Sequence, residues 1–424
     1  NAQYLTGEMD PNLAFQTEKA LRQGTLDILF VAPERLQSSY FQSMICASPI
    51  DLIAVDEAHC LTTWGHDFRP DYVAINRFLE RFVHERGGRP PLIALTATAD
   101  KVTRQEISRL LELKSPYVSC SLPTRTNLRI GVGYRQQGFK QTVSIVQNRF
   151  PKQRGIIYCP TRDLVEKLTR SLNDNQVSAL PYHAGLNRET RSKNQALFEA
   201  GQVNVVVATL AFGMGIDAPD LGFVMRLGLP STLESFLQEA GRAGRDGRDA
   251  EVLVLYNERD AAWAWSHAQE GRHSQQRLRA LLDLLLGEVC IDEILATHFG
   301  LDEEDIAAPK KIPNKTPAKT KPKKKCHCPA CENGVVKSKE QPDLAFTLSE
   351  LQHALRGYIT AGQLVDVAQG KYGSKVEAFA LDRLDIFGSL STFGRVELKI
   401  ALRDLIADAQ LSLDLETNAV DFKR

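Results

Sequence analysis

No apolar run in the 424 residues reaches the ~18 that a membrane-crossing helix needs, which excludes a helical membrane-spanning protein. Neither charge is in excess: Lys plus Arg and Asp plus Glu both number 52. Overall charge therefore argues neither for nor against a polyanion partner, and any basic surface must be local. Glycine (28) and proline (19) are too few for a collagen-like chain, and 43% apolar with 25% charged residues excludes a fully disordered or fibrous one. Cysteine is sparse, at eight residues. Cys46, Cys60, Cys120 and Cys159 are scattered, and no secretory pattern accompanies them. That usage indicates a reducing compartment, the cytoplasm, with nucleoid association if the source is bacterial. Cys290, Cys326, Cys328 and Cys331 lie in the last third, three of them within six residues. In a reducing setting such a cluster points to metal before disulfides. The chain opens on Asn1 instead of Met, and the expectation is that the natural start lies upstream.

At ~150 residues per domain the length allows two to four domains. Ile28 to Ala32, Leu52 to Val55 and Leu92 to Leu95 are short apolar runs, each followed by a polar turn and a helical pattern. Strands separated by helices build a parallel sheet covered on both faces. The pattern restarts with Gly155 to Cys159, Val203 to Thr209, Phe223 to Leu227 and Glu251 to Tyr256, so two similar α/β units are expected, with Ser121 to Gly138 as the join. Beyond Asp260 the period becomes helical, with Leu278, Leu281, Leu282, Leu285 and Leu286 on one face. Pro309 to Lys325 holds eight lysines, four prolines and no acid. It cannot bury a core and is expected to be an exposed tether that could add sequence-blind phosphate affinity. From about Phe346 amphipathic helices return, closing with a hairpin-like alternation over Leu411 to Asp421. The expected domains are 1–120, 121–259, 260–340 with the 309–325 insert, and 341–424.

The strongest local signal is Asp56-Glu57-Ala58-His59, directly after the run LIAV. At the carboxyl end of a parallel strand, side chains project into the ligand crevice. An Asp there can hold Mg²⁺ through water and the adjacent Glu can orient an attacking water for phosphoryl transfer, while His59 can link the pair to a neighbouring segment. The bland alternative is a solvated acidic turn. The second signal runs from Gln238 to Gly247 (QEAGRAGRDG). Arg242 and Arg245 stand three apart on one helix face, and a guanidinium fork matches phosphate oxygens; a glycine-rich loop with solvated arginines is the alternative. Thr96-Ala97-Thr98 and the stretch Ala208 to Asp217 also follow strand-like runs. Trp64 and Phe68 offer stacking faces, and Arg69 a phosphate contact, in a stretch whose other residues make it loop-like; burial in the core is the competing reading.

Taken in order, these segments resemble a superfamily 2 helicase, and in detail the RecQ family of DNA helicases. DEAH followed by CLTTWGHDFRP (Cys60 to Pro70) is similar to that family's aromatic-rich loop. APERL (Ala32 to Leu36), LTATAD (Leu95 to Asp100), YHAGL (Tyr182 to Leu186), AFGMGID (Ala211 to Asp217) and QEAGRAGRDG match in order and spacing. The resemblance implies two RecA-like parallel-sheet domains, a helical zinc-binding subdomain and a winged-helix domain. It implies ATP as substrate, with Mg²⁺ and Zn²⁺, and both single-stranded and duplex DNA as partners. Asp56 and Glu57 would be the Mg²⁺-holding and water-activating carboxylates, with His59 beside them. Arg242 and Arg245 would reach the γ-phosphate, and Gly215, Asp217 and Gln238 would lie near the nucleotide. Trp64, His66, Phe68 and Arg69 would sense single-stranded DNA and couple it to hydrolysis.

Cys290 opens CIDEILATHFG, similar to the helix that supplies the first zinc ligand in the family, and Cys326, Cys328 and Cys331 would complete the set. Their spacing departs from the family's CxxCxxC, so His327 or His298 could replace Cys326. Gly362 to Leu413 looks like the winged helix. The reaction implied is ATP-dependent 3′-to-5′ unwinding of DNA in repair or recombination. A DNA-binding module without motor activity and an RNA-directed superfamily 2 helicase remain alternatives. Two features depart from the family. Arg226 stands where a histidine is usual, and Phe236-Leu237 replaces paired tyrosines. No GxxxxGK[ST] loop occurs; by resemblance it is expected upstream of Asn1, and without it the chain as written is expected not to hydrolyse ATP efficiently.

Overall fold

The structure is a computed structural model that describes residues 1–6, 9–62, 69–122, 125–136, 138–212, 218–268, 272–287, 289–301, 327–333, 342–355, 359–373, 376–377 and 380–422. Trp64, His66, Phe68, Gly215, Asp217, Cys326 and the lysine-rich stretch lie outside the described residues. The chain divides into two compact units. The first is Asn1–Ser121 with a short return from Phe299; the second holds Leu122–His298 and the C-terminal region.

The first unit is built from parallel pairs. Strand β1 (Ala2–Leu5) pairs with β2 (Ile28–Val31), and β3 (Ile53–Val55) with β4 (Leu92–Ala94). Helix Pro11–Arg22 joins the first pair. It starts where it does because Asp10 accepts from the N–H groups of Asn12 and Leu13 and Pro11 needs no hydrogen-bond partner. Helix Val73–Arg86, between β3 and β4, stops at Gly87, whose φ of 72° only glycine adopts without strain. Leu5, Phe41, Val55, Phe78, Phe82 and Leu111 form the core.

The second unit carries a six-stranded, wholly parallel sheet. Its strands are β5 (Leu128–Tyr134), β6 (Gly155–Tyr158), β7 (Ala179–Tyr182), β8 (Val205–Ala208), β9 (Phe223–Leu227) and β10 (Ala250–Tyr256), in the order β5-β10-β9-β6-β8-β7. The four central strands coincide with the apolar runs of the sequence. Both edge strands escape that reading, and β5 corrects it, because it lies inside Ser121 to Gly138, expected to be a join. The reason is chemical. Strand β5 carries Gly131 and Gly133, which weaken any strand signal, yet a Cβ at Gly133 would stand 2.7 Å from Leu255 Cδ2. Strand β7 contains Pro181, tolerated because β7 is an edge.

Helix Glu258–His267 follows the sheet, and Trp265 Nε1 donates to the Ala407 carbonyl at 3.1 Å. That contact seats a small C-terminal assembly: helices Leu344–Leu355, Ala361–Gln369 and Arg395–Ala407 against an antiparallel sheet of β11 (Ile359–Thr360), β12 (Leu411–Leu413) and β13 (Ala419–Phe422). Leu411 faces Phe422 and Leu413 faces Val420 in the closing hairpin. This is a winged-helix arrangement, so the α/β architecture with two RecA-like domains and a winged helix holds. No helix among the described residues is long and apolar enough to cross a membrane.

Candidate functional site

The acidic turn belongs to the first unit. Parallel pairing carries β3 and β4 to the same level, where the Leu95 N–H donates to the Val55 carbonyl (2.8 Å) and the Leu95 carbonyl accepts from Ala58 (2.9 Å). The chain reverses between these bonds at Asp56 and Glu57. Glu57 takes φ 49° and ψ 42°, the left-handed region that a non-glycine residue rarely occupies. Asp56 is exposed, and one of its carboxylate oxygens accepts the Glu57 N–H at 2.9 Å. The Tyr72 hydroxyl donates to the Asp56 carbonyl at 3.2 Å. Burial first, then the neighbouring Cys60, Glu57 and Asp56, push the Tyr72 hydroxyl up to about 12, so it remains a donor at neutral pH.

His59 is buried at 1% exposure. Its Nδ1 stands 3.0 Å from Thr96 Oγ1 and 3.3 Å from Glu57 Oε2. Thr96 also accepts from the Thr98 N–H at 3.3 Å. The histidine therefore joins the DEAH turn to the LTATAD turn. The Arg69 N–H donates to the Cys60 carbonyl at 3.1 Å.

The arginine turn belongs to the second unit. Helix Leu233–Ala240 begins at Thr232, whose hydroxyl accepts from Ser235 at 3.1 Å. It runs straight into the turn holding Arg242, half-buried, and Arg245, exposed. The turn's carbonyls are gripped from the chain entering β5. Arg125 donates to Gly241 and to Ala243, the latter at 3.1 Å, and Asn127 donates to Gly244 (2.9 Å) and Arg248 (2.7 Å). Gly244 sits at φ 60°, where a Cβ would stand 2.6 Å from Asn127 Nδ2. Beneath lies Arg226, which donates to Glu239 at 2.9 Å and to the Leu229 carbonyl at 3.0 Å. Burial raises the Glu239 carboxyl above its ordinary range, against the pull of Arg226 and Arg242. Gln238 is half-buried on the same helix.

The thiols of Cys290, Cys328 and Cys331 converge in the second unit, their Sγ atoms all within 4.8 Å of one another. Cys290 and Cys331 are 3.5 Å apart at sulfur, far beyond the ~2.05 Å of a disulfide. Thiolates at ~2.3 Å around a tetrahedral ion lie about 3.8 Å apart, so the donor set and its spacing fit such an ion. Gly287 permits the approach, because a Cβ there would lie 3.1 Å from the Pro329 Cβ. The main-chain carbonyl of His327 accepts from Ile130 at 2.9 Å, fastening the thiol segment to the edge of β5. His298 Nε2 stands 2.7 Å from Glu234 Oε1, and the group of converging ligand atoms among the described residues is the three thiols.

Three family descriptions match: "DEAD/DEAH box helicase" over residues 7–107, "Helicase conserved C-terminal domain" over 138–247 and "RQC domain" over 341–422. The ATP-dependent DNA helicase RecQ of Pasteurella multocida is 38% identical over 305 residues, which is 70% of this chain and 47% of that protein. The protein of the same name from Haemophilus influenzae is 38% identical over 291 residues, 67% of this chain and 46% of its own. The chain belongs to the RecQ family. It spans about half the length of these relatives. Among solved structures, the Mycobacterium smegmatis helicase Lhr bound to ssDNA and AMP-PNP aligns with 99% of this chain and 47% of its own at a TM-score of 0.51 and 17% identity, a likeness of fold alone.

Several residues of this RecQ chain that support the turns escape sequence reasoning. Arg125 and Asn127 lie more than a hundred residues from the carbonyls they hold, and no local pattern marks them. Arg226 is visible only as a departure from the family histidine; the structure makes it the buried partner of Glu239. Tyr72 could have been sought as an aromatic just beyond the DEAH loop.

Proposed function

We propose that this chain is the core of an ATP-dependent DNA helicase that translocates 3′ to 5′ and unwinds duplex DNA. The observation that carries the proposal is the turn at Asp56 and Glu57, tied through buried His59 to Thr96 at the carboxyl ends of two parallel strands. Mg²⁺, when bound, would neutralise charge on the phosphates of ATP. Asp56 would hold it through water. Glu57 orients the attacking water and accepts its proton at the carboxylate, while His59, linked to both Glu57 and Thr96, holds that carboxylate in register. By the resemblance, Arg242 and Arg245 would supply guanidinium donors for the γ-phosphate oxygens, and Gln238, Gly215 and Asp217 would be the residues near the nucleotide.

The aromatic loop would report on DNA. By the resemblance, a base stacked on Trp64 or Phe68 would be sensed there and coupled to hydrolysis, and the Arg69 N–H bonds to the carbonyl of Cys60, the residue next to His59 in sequence. Zn²⁺ would be held by Cys290, Cys328 and Cys331, with Cys326 as the fourth thiolate, in a closed structural site. The winged helix would engage duplex DNA. The setting that fits this reading is cytoplasmic, nucleoid-associated if the source is bacterial.

The test is Glu57→Gln in the full-length protein. ATP binding should persist while hydrolysis stimulated by single-stranded DNA falls by a factor on the order of 10²–10⁴, the usual worth of a positioned general base. Retained turnover would reject the assignment. Stimulation by RNA as strong as by DNA would favour an RNA-directed motor.

A further inference from the structure

Helix Leu233–Ala240 ends in the arginine turn, and helix Ile291–Phe299 begins at Cys290, whose carbonyl accepts from Glu293 and Ile294 at 3.1 and 3.0 Å. The far ends of the two helices meet. Glu234, in the first turn of one, is 2% exposed, and its Oε1 accepts from Nε2 of His298, in the last turn of the other, at 2.7 Å. Arg277 Nε stands 3.7 Å from the same oxygen. The second carboxylate oxygen, Oε2, is buried with no hydrogen bond among the described residues, so the grip is made at one oxygen. A carboxylate suits a helix N-terminus, so the macrodipole of the first helix favours Glu234 where it stands. Burial works against the Glu234 charge, yet His298 and Arg277 hold its carboxyl down at about 2.

We propose that Glu234 and His298 form a positioning clasp that couples the thiol cluster to the arginine turn. The inference rests on the helicase reading and adds to it a route by which the metal-holding segment governs phosphate contact. Each helix is only ~12–14 Å long at 1.5 Å per residue, short enough to move as a rigid rod. A shift at Cys290 therefore passes along one rod, through a buried charge-assisted bond, and along the other to Arg242, whose N–H donates to the Glu239 carbonyl at 3.2 Å. Neither Glu234 nor His298 belongs to the thiol group or the arginine turn, so both act through other residues.

Coupling between two sites is typically worth 5–150-fold in binding and need not be symmetric in kcat, so each direction is measured by itself. In the full-length, zinc-loaded protein, His298→Ala should retain one zinc per chain and lower the kcat of DNA-stimulated ATP hydrolysis about ten-fold, leaving KM for ATP within about two-fold. His298→Gln, which keeps an N–H donor, should recover most of the rate. In the reverse direction, a non-hydrolysable ATP analogue should change the rate of zinc release to a chelator in the wild type and not in His298→Ala. If that variant does not fold, Glu234→Gln carries the same two measurements. An unchanged kcat, or zinc release that responds equally to nucleotide in the variant, overturns the clasp while leaving the helicase reading intact. A wild type that hydrolyses no ATP removes the helicase reading and the clasp with it.

Discussion

Glu57 shows how one backbone angle serves chemistry. Its left-handed φ of 49° costs on the order of 1 kcal/mol for a residue with a Cβ. The hydrogen bonds on either side of the turn, between Val55, Leu95 and Ala58, hold it there. Glu234 gives a prediction at the same scale. Against its burial, His298 and Arg277 hold its carboxyl down at about 2 in the folded chain, below the ordinary 4.5. A depressed folded value contributes stability that is fully present above the unfolded pKa and is lost as pH falls through the folded one. The stability lost in Glu234→Gln, measured by urea unfolding, should therefore be largest above pH 4.5 and shrink steadily as pH drops towards 2. The sequence made Asp56, Glu57, Arg242 and Arg245 legible because their neighbours form ordered local motifs. Glu234 and Arg125 were not legible, because their partners His298 and Gly241 lie far along the chain and a charged residue in isolation reads as solvated surface.

Within the six-stranded sheet, legibility followed burial. Strands β6, β8 and β9, buried along their whole length, appear as apolar runs. The edges β5 and β7 mix glycine and proline into theirs and do not. Gly155 in β6 shows how tightly the centre is filled. A Cβ there would stand 2.4 Å from the Phe223 ring, which stacks on Phe150 at a centroid distance of 4.4 Å. Gly155→Ala should accordingly cost about 1–3 kcal/mol by overpacking, read from the urea midpoint. Phe223→Leu in the same background should recover part of that loss.

At the scale of the whole molecule, the thiol cluster draws on segments separated by about forty residues, Cys290 on one side and Cys328 and Cys331 on the other. Cys328→Ser should remove zinc from one per chain to none by metal analysis. It should also lower the unfolding midpoint, since metal bound only by the folded form adds its binding energy to folding. The closing hairpin was legible from the alternation over Leu411 to Asp421 and the winged helix only from family resemblance, while its short β11, Ile359–Thr360, offered too few residues for any period to show. Strand β5 is the first of the six-stranded sheet to be made, yet its strand partner is β10, the last, with Leu128 opposite Ala250. A ribosome must therefore deliver more than a hundred further residues before that edge can close, and until then its glycine-spaced backbone waits unpaired, a window in which a chaperone would have its best chance to bind the growing chain.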